Sequence, residues 1–110
     1  MGCGVKPALT SANFKEMRAT AKRAIELAAK RFRVTLEEAL DRGDCDCVGA
    51  RWSTWLALDL LEWRPEDIAR LFYVDRTAIL YAKKRAHAEH FEYAAAIVAE
   101  LTAATENHAA

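Results

Sequence analysis

Residues 65–85 have the sequence PEDIARLFYVDRTAILYAKKR, which contains the pattern that decides the fold. Pro65 suits the first turn of a helix because its missing N–H needs no partner there, and the two acidic residues after it favour the positive end of a helix. This helix is expected to end near Phe72. Asp75 suits the N-cap of a second helix, which begins with polar side chains. The segment therefore predicts a helix-turn-helix, a motif that places its second helix in the major groove of DNA.

A helix-turn-helix requires a small residue where its two helices cross, and Ala69 occupies that place. Apolar residues must also fix the angle between the helices, and they recur at the expected spacing at Ile68, Phe72, Val74, Ile79 and Ala82. The turn commonly uses glycine, whereas Tyr73 stands here, and a left-handed backbone at a non-glycine residue costs roughly 1–2 kcal/mol. The alternative interpretation is an ordinary helical hairpin that has no role in DNA binding.

The side chains at the start of the second helix have the chemistry for contacting bases. Arg76 can form a bidentate pair with guanine, Thr77 can offer its methyl or hydroxyl group to a base, and Ala78 can touch a thymine methyl group. Tyr81, one turn further on, can contact a base or a phosphate. Other cations suit the phosphates, which position a protein without identifying the sequence: Lys83, Lys84 and Arg85. Arg51, at the start of an apolar helix, is expected to hold a backbone phosphate.

The composition is that of an all-helical protein. The chain has 110 residues, is 53% hydrophobic, and contains only 4 Gly and 2 Pro. We expect a single-domain bundle of five or six helices over residues 11–104, a flexible arm at 1–10 and a frayed tail at 105–110. No uncharged apolar run reaches about 18 residues, so no membrane span is expected. The start of the chain lacks the long apolar segment of a secretory signal.

The spacing of apolar residues predicts the other helices. These lie near residues 12–32, 36–41 and 47–62, followed by a long helical segment from Asp75 to about residue 103, which either bends near residues 87–90 or divides into two helices. The short helix begins with a capping box at Thr35 and Glu38, and residues 43–47 form a loop. The helix at 47–62 is apolar nearly all round, so it is expected to be central. Its tryptophans, Trp52 and Trp55, are expected to pack in the core rather than stack on bases.

The charges and cysteines narrow the class of function. A net charge of zero, from 16 basic and 16 acidic residues, argues against a non-specific DNA coat but not against a specific binder, since the distribution of charge matters more. Residues 76–85 carry four positive charges and no negative one. Cys45 and Cys47 are interpreted as reduced thiols, because a structural zinc site would need a second ligand cluster. We expect no metal, no cofactor and no enzymatic nucleophile.

Four motifs lie in the order and spacing of one known family: VTLEEAL at 34–40, ARW at 50–52, PEDIARLF at 65–72 and DRTAILYA at 75–82. Together they make residues 22–86 resemble the C-terminal, DnaA-box-binding domain of the bacterial replication initiator DnaA. The resemblance implies an all-α fold like that of this domain and the Trp repressor. It also implies that Asp75, Arg76 and Thr77 contact bases, and that Arg42 lies near the family's minor-groove arginine.

The sequence also departs from that family. The family's Gly-Gly-Arg turn is replaced by Tyr73 and Val74, its histidine by Arg76 and its second threonine by Ala78, and the basic loop is acidic here. The DnaA box therefore need not be the target. The chain has no Walker-A glycine loop, so no ATPase activity is expected.

These observations predict a cytoplasmic, nucleoid-associated protein that binds specific double-stranded DNA and regulates transcription or replication. A homodimer through the N-terminal helix or residues 86–104 would strengthen such binding. The alternative is a protein-interaction module that keeps the fold and has lost DNA binding, which the zero net charge, the acidic loop and Tyr73 favour.

Overall fold

The computed structural model describes residues 14–109, with side chains up to residue 103. This part of the chain forms one all-helical globule without β-strands. Its helices are α1 (Phe14–Phe32), α2 (Leu36–Asp41), α3 (Cys45–Leu60), α4 (Pro65–Phe72), α5 (Arg76–Glu89) and α6 (Phe91–Ala109). The prediction of an all-α bundle of five or six helices is confirmed. The predicted arm at 1–10 lies outside the described residues, and the fraying of the tail stays a prediction.

Helix α3 is the centre of the bundle and contacts all five other helices. Buried residues cover most of its circumference, as the apolar sequence predicted: Cys47, Gly49, Ala50, Ser53, Thr54, Trp55, Leu56, Ala57 and Leu58. The buried hydroxyl of Thr54 has a hydrogen-bond partner, because it donates to the Ala50 carbonyl at 2.8 Å. Gly49 allows a close approach, because a Cβ atom there would lie 2.7 Å from the Phe32 ring.

Two boundaries of α3 differ from the prediction. The loop predicted at residues 43–47 is too long. Helix α3 begins at Cys45 with Asp44 as its N-cap, so the prediction is wrong for residues 45–47. The helix also ends at Leu60 rather than near residue 62. An acidic residue in the first turn of α3 favours the positive end of the helix, which explains how a segment rich in aspartate and cysteine becomes helical.

Helix α2 begins with the predicted capping box. The Glu38 N–H donates to the Thr35 hydroxyl oxygen at 3.1 Å, and the Thr35 N–H donates to the Glu38 carboxylate at 2.9 Å. This second hydrogen bond, from a backbone N–H to the charged carboxylate, holds the pKa of Glu38 below its ordinary value.

Three helices, α1, α3 and α4, end in the same kind of turn. Each is closed by a non-glycine residue with a left-handed backbone: Arg33 (φ 59°), Glu62 (φ 68°) and Tyr73 (φ 57°). The following residue then donates its N–H to a carbonyl five residues back, in the pairs Val34–Ala29, Trp63–Leu58 and Val74–Ala69, at 3.0–3.1 Å. These are Schellman hydrogen bonds, and the donor residue packs its apolar side chain against the core. The fold therefore accommodates Tyr73 where glycine is common.

We expect Tyr73→Gly to raise the free energy of unfolding by up to about 1 kcal/mol, because relief of the left-handed backbone exceeds the entropic cost of glycine. Tyr73 is 89% exposed, so few contacts are lost. Urea unfolding measures the change. The matched control is Tyr73→Ala, which keeps the Cβ atom and should gain no stability. A glycine variant less stable than the alanine variant would contradict this expectation.

Helix α4 has the predicted bounds, and α5 begins directly after Asp75, as predicted, with a turn of three residues between the two helices. Ile68, Ala69, Ile79 and Ala82 are buried, while Phe72 and Val74 pack against the core. Of the two alternatives for the following segment, the structure has two helices. Helix α5 ends at Glu89, His90 leaves the helical conformation at φ −131° and ψ 22°, and α6 then packs against α1 and α3.

Candidate nucleic-acid interface

The first turn of α5 is an open surface. Asp75, Arg76, Thr77 and Ala78 are consecutive and exposed, and Ile79 is the first residue of α5 to enter the core. One face of α5 rests on α3 through buried residues at helical spacing, Ile79, Ala82 and Ala86. The structure thus brings four of the predicted base-contacting residues together at the start of one anchored helix.

Asp75 occupies the N-cap position of α5 without using its side chain there. Its backbone is extended, at φ −76° and ψ 149°, and its carboxylate makes no capping hydrogen bond. The negative charge still lies at the positive end of the helix, which stabilises it. The carboxylate oxygens therefore face solvent with their acceptor capacity available.

Arg76 forms an ion pair between the two helices. Its Nε lies 3.6 Å from Oε1 of Glu66 at the start of α4, and both side chains are more than half exposed. The pKa of Glu66 lies below its ordinary value because the carboxylate accepts a hydrogen bond from its own backbone N–H and lies near Arg76. An ion pair this exposed contributes little to stability, so the guanidinium can exchange Glu66 for another acceptor.

Tyr81 is held in place by a tryptophan. Its ring meets Trp52 of α3 edge to face, with 5.7 Å between the ring centroids, and 55% of Tyr81 remains exposed. Trp52 itself is half-buried, so its predicted packing role extends to positioning Tyr81. No local pattern could predict this pairing, because the two residues lie on different helices.

The cations of residues 76–85 are largely neutralised by acids from other positions. Lys83 Nζ lies 3.0 Å from Asp59 of α3, in a partly buried pair that joins α5 to α3. Arg85 pairs with Glu89 at 2.6 Å, and that hydrogen bond raises the pKa of Arg85. With Arg76 bound to Glu66, Lys84 is the one cation of this segment that has no ion pair within the described residues. The predicted positive cluster is therefore mostly balanced.

Arg51 and Arg42 form a second group at the junction of α2 and α3. Nη1 of Arg51 donates to the carbonyls of Ala39 and Arg42, at 2.7 and 3.1 Å, and so caps the C-terminus of α2. This structural role was not predicted for Arg51. The guanidinium of Arg42 lies 3.6 Å from the Asp44 carboxylate, and it remains accessible because both side chains are more than half exposed.

Comparisons with protein-family models and with curated proteins found no match to this chain. Within the part of the chain that the structure describes, no three His, Cys, Asp or Glu side chains gather as metal ligands. None of the helices described there combines the length and the hydropathy that a membrane-spanning segment needs.

Proposed function

We propose that this protein binds specific double-stranded DNA through a helix-turn-helix formed by α4 and α5, and regulates transcription or replication without ATPase activity. The observation that carries the proposal is the open first turn of α5, in which four consecutive residues face solvent on a helix that α3 holds firmly. A major groove about 12 Å wide admits a single helix in this way.

The side chain of each residue in that turn can contact the edge of a base in the major groove. The free carboxylate of Asp75 can accept a hydrogen bond from the amino group of cytosine. Arg76 can donate two hydrogen bonds to guanine once it leaves Glu66. Thr77 can contact a thymine methyl group or a base edge, and Ala78 is small enough to allow close approach. Tyr81, braced by Trp52, supports a neighbouring base or phosphate contact.

The candidate phosphate contacts are the exposed cations, whose ion pairs, where they have any, are also exposed. Lys84 and Arg42 are exposed, and Arg85 can exchange Glu89 for a phosphate because this pair is exposed. Lys83 and Arg51 instead hold α5 and α2 in position. Because each neutralised phosphate contributes about −0.9 to the slope of log affinity against log salt, two to four contacts predict a slope of roughly −2 to −4.

We expect Lys84→Ala to weaken binding to all duplexes alike and to make the salt slope shallower by about 1. The matched control is Lys83→Ala, one residue away, which removes the same charge from a lysine bound to Asp59. This control should leave the slope nearly unchanged. Fluorescence anisotropy of a labelled duplex at several salt concentrations measures both. Equal changes in slope for the two variants would contradict the assignment.

A homodimer would give this small module more affinity, because one module buries only about 600–1,000 Å² on DNA. Helix α6 exposes Phe91 and Tyr93, which makes its start a candidate dimer contact along with α1. Two half-sites about 34–36 Å apart would then match the two copies. Such a protein would act in the cytoplasm, associated with the nucleoid.

A second candidate function is a protein-interaction module with the same fold. The neutralisation of three cations in residues 76–85 favours it, since a DNA surface usually keeps such charges free. A salt titration distinguishes the two functions. A slope near zero, or no binding at low salt, would support the interaction module and contradict DNA binding.

A further inference from the structure

A groove of about 460 Å³ lies between α1, α2 and α4, and none of the base-contacting candidates lines it. Exposed apolar side chains stand at its edges: Phe14, Leu40 and Tyr73. Ile25, Leu71 and Phe72 form its deeper wall. Exposed apolar groups that converge on one concave surface, instead of being scattered singly, are typical of interaction sites.

Three cations surround this apolar surface. Arg18 and Lys22 lie one turn apart on α1, and Arg70 projects from α4. None of the three forms an ion pair within residues 14–103, and no acidic side chain lines the groove. This contrasts with α5, where acids bind three of four cations. The groove therefore keeps an unbalanced positive charge beside an apolar surface.

We propose that this groove docks an acidic, amphipathic helical segment of a partner protein. A helix of that kind would place large apolar side chains, spaced i and i+3 or i+4, against Leu40, Leu71 and Phe72. Its carboxylates would then meet Arg18, Lys22 and Arg70, which complements the charge of the groove. A DNA backbone could satisfy the cations but would leave the apolar wall without an apolar partner, so the acidic segment fits more of the surface.

A displayed library of random helical peptides, selected on the full chain, tests the proposal. We expect enriched peptides to carry net negative charge and two or three large apolar residues at helical spacing. The best binder should lose at least about tenfold in affinity for the double variant Lys22→Glu, Arg70→Glu. Both residues are exposed and unpaired, so the fold should persist, which circular dichroism checks. The matched control, Lys84→Glu, changes one charge outside the groove and should bind normally.

Several results would overturn the proposal. These are the absence of any enrichment, enrichment of neutral or basic peptides, or an equal loss of peptide affinity in the Lys84→Glu control. A second measurement compares duplex binding by the same variants. If the double variant binds the selected peptides as the parent chain does, but loses duplex binding as strongly as Lys84→Glu does, the groove is a phosphate contact and the docking proposal fails. Because the selection contains no DNA, it can fail without affecting the proposed DNA binding through α5.

Discussion

Replacing Trp55 with alanine is expected to lower the free energy of unfolding by about 3–5 kcal/mol, the usual cost of deleting a buried large aromatic side chain. Trp55 is 3% exposed, and its ring meets Phe72 edge to face with 5.9 Å between the ring centroids. Phe72 is the last residue of α4, just before the turn that leads to α5. Urea unfolding measures the loss, and DNA affinity should fall with it because the turn loses its anchor on α3.

The conservative variant Trp55→Phe separates ring packing from the loss of the whole side chain. The indole Nε1 of Trp55 is buried and has no hydrogen-bond partner among the described residues. Phenylalanine removes this unpaired donor, whose burial costs about 1–3 kcal/mol, and keeps an aromatic ring against Phe72. Because this gain offsets part of the cost of the cavity that the smaller ring leaves, we expect a loss well below that of Trp55→Ala. A phenylalanine variant as unstable as the alanine variant would contradict the packing role.

Arg76→Ala is expected to cost roughly 1–3 kcal/mol of binding to the preferred DNA sequence, a loss of about 5-fold to 150-fold in affinity. The loss should concentrate at one base position, since a guanidinium bound to guanine specifies that base. The fold should not change, because the pair with Glu66 is exposed. Competition between the preferred duplex and single-base variants of it measures the effect.

The control for this prediction is Glu66→Gln, which removes the charge that competes for Arg76. We expect this variant to bind DNA at least as tightly as the parent chain, because Arg76 is then free and the surface has one negative charge fewer. If Arg76→Ala loses affinity equally for the preferred sequence and for random DNA, Arg76 contacts phosphate and not a base.

The local signals in the sequence were sufficient to predict most of the fold. Thr35 and Glu38 predicted their capping box because it involves only residues three positions apart. Pro65 and Asp75 correctly marked the starts of α4 and α5 for the same reason. The start of α3 could not be placed in this way, because Cys45, Asp46 and Cys47 have low helix propensity, and the packing of α3 against the other helices outweighs it.

The electrostatics of the candidate site could not be predicted in the same way. Lys83 forms its ion pair with Asp59, which lies 24 positions earlier in the chain, and Arg76 forms its ion pair with Glu66 on a different helix. The sequence alone therefore indicated a continuous positive cluster in residues 76–85, whereas in the fold acidic side chains pair with three of its four cations. The capping role of Arg51 also depends on how α2 folds back onto α3.

Selection from a pool of random duplexes, with sequencing of the bound fraction, tests the proposed DNA binding most directly. The protein should enrich one short motif that includes a guanine, and the Arg76→Ala variant should lose preference at that guanine while keeping the rest of the motif. Recovery of the pool with no enriched motif, at a salt concentration low enough to permit binding, would contradict sequence-specific recognition by α5.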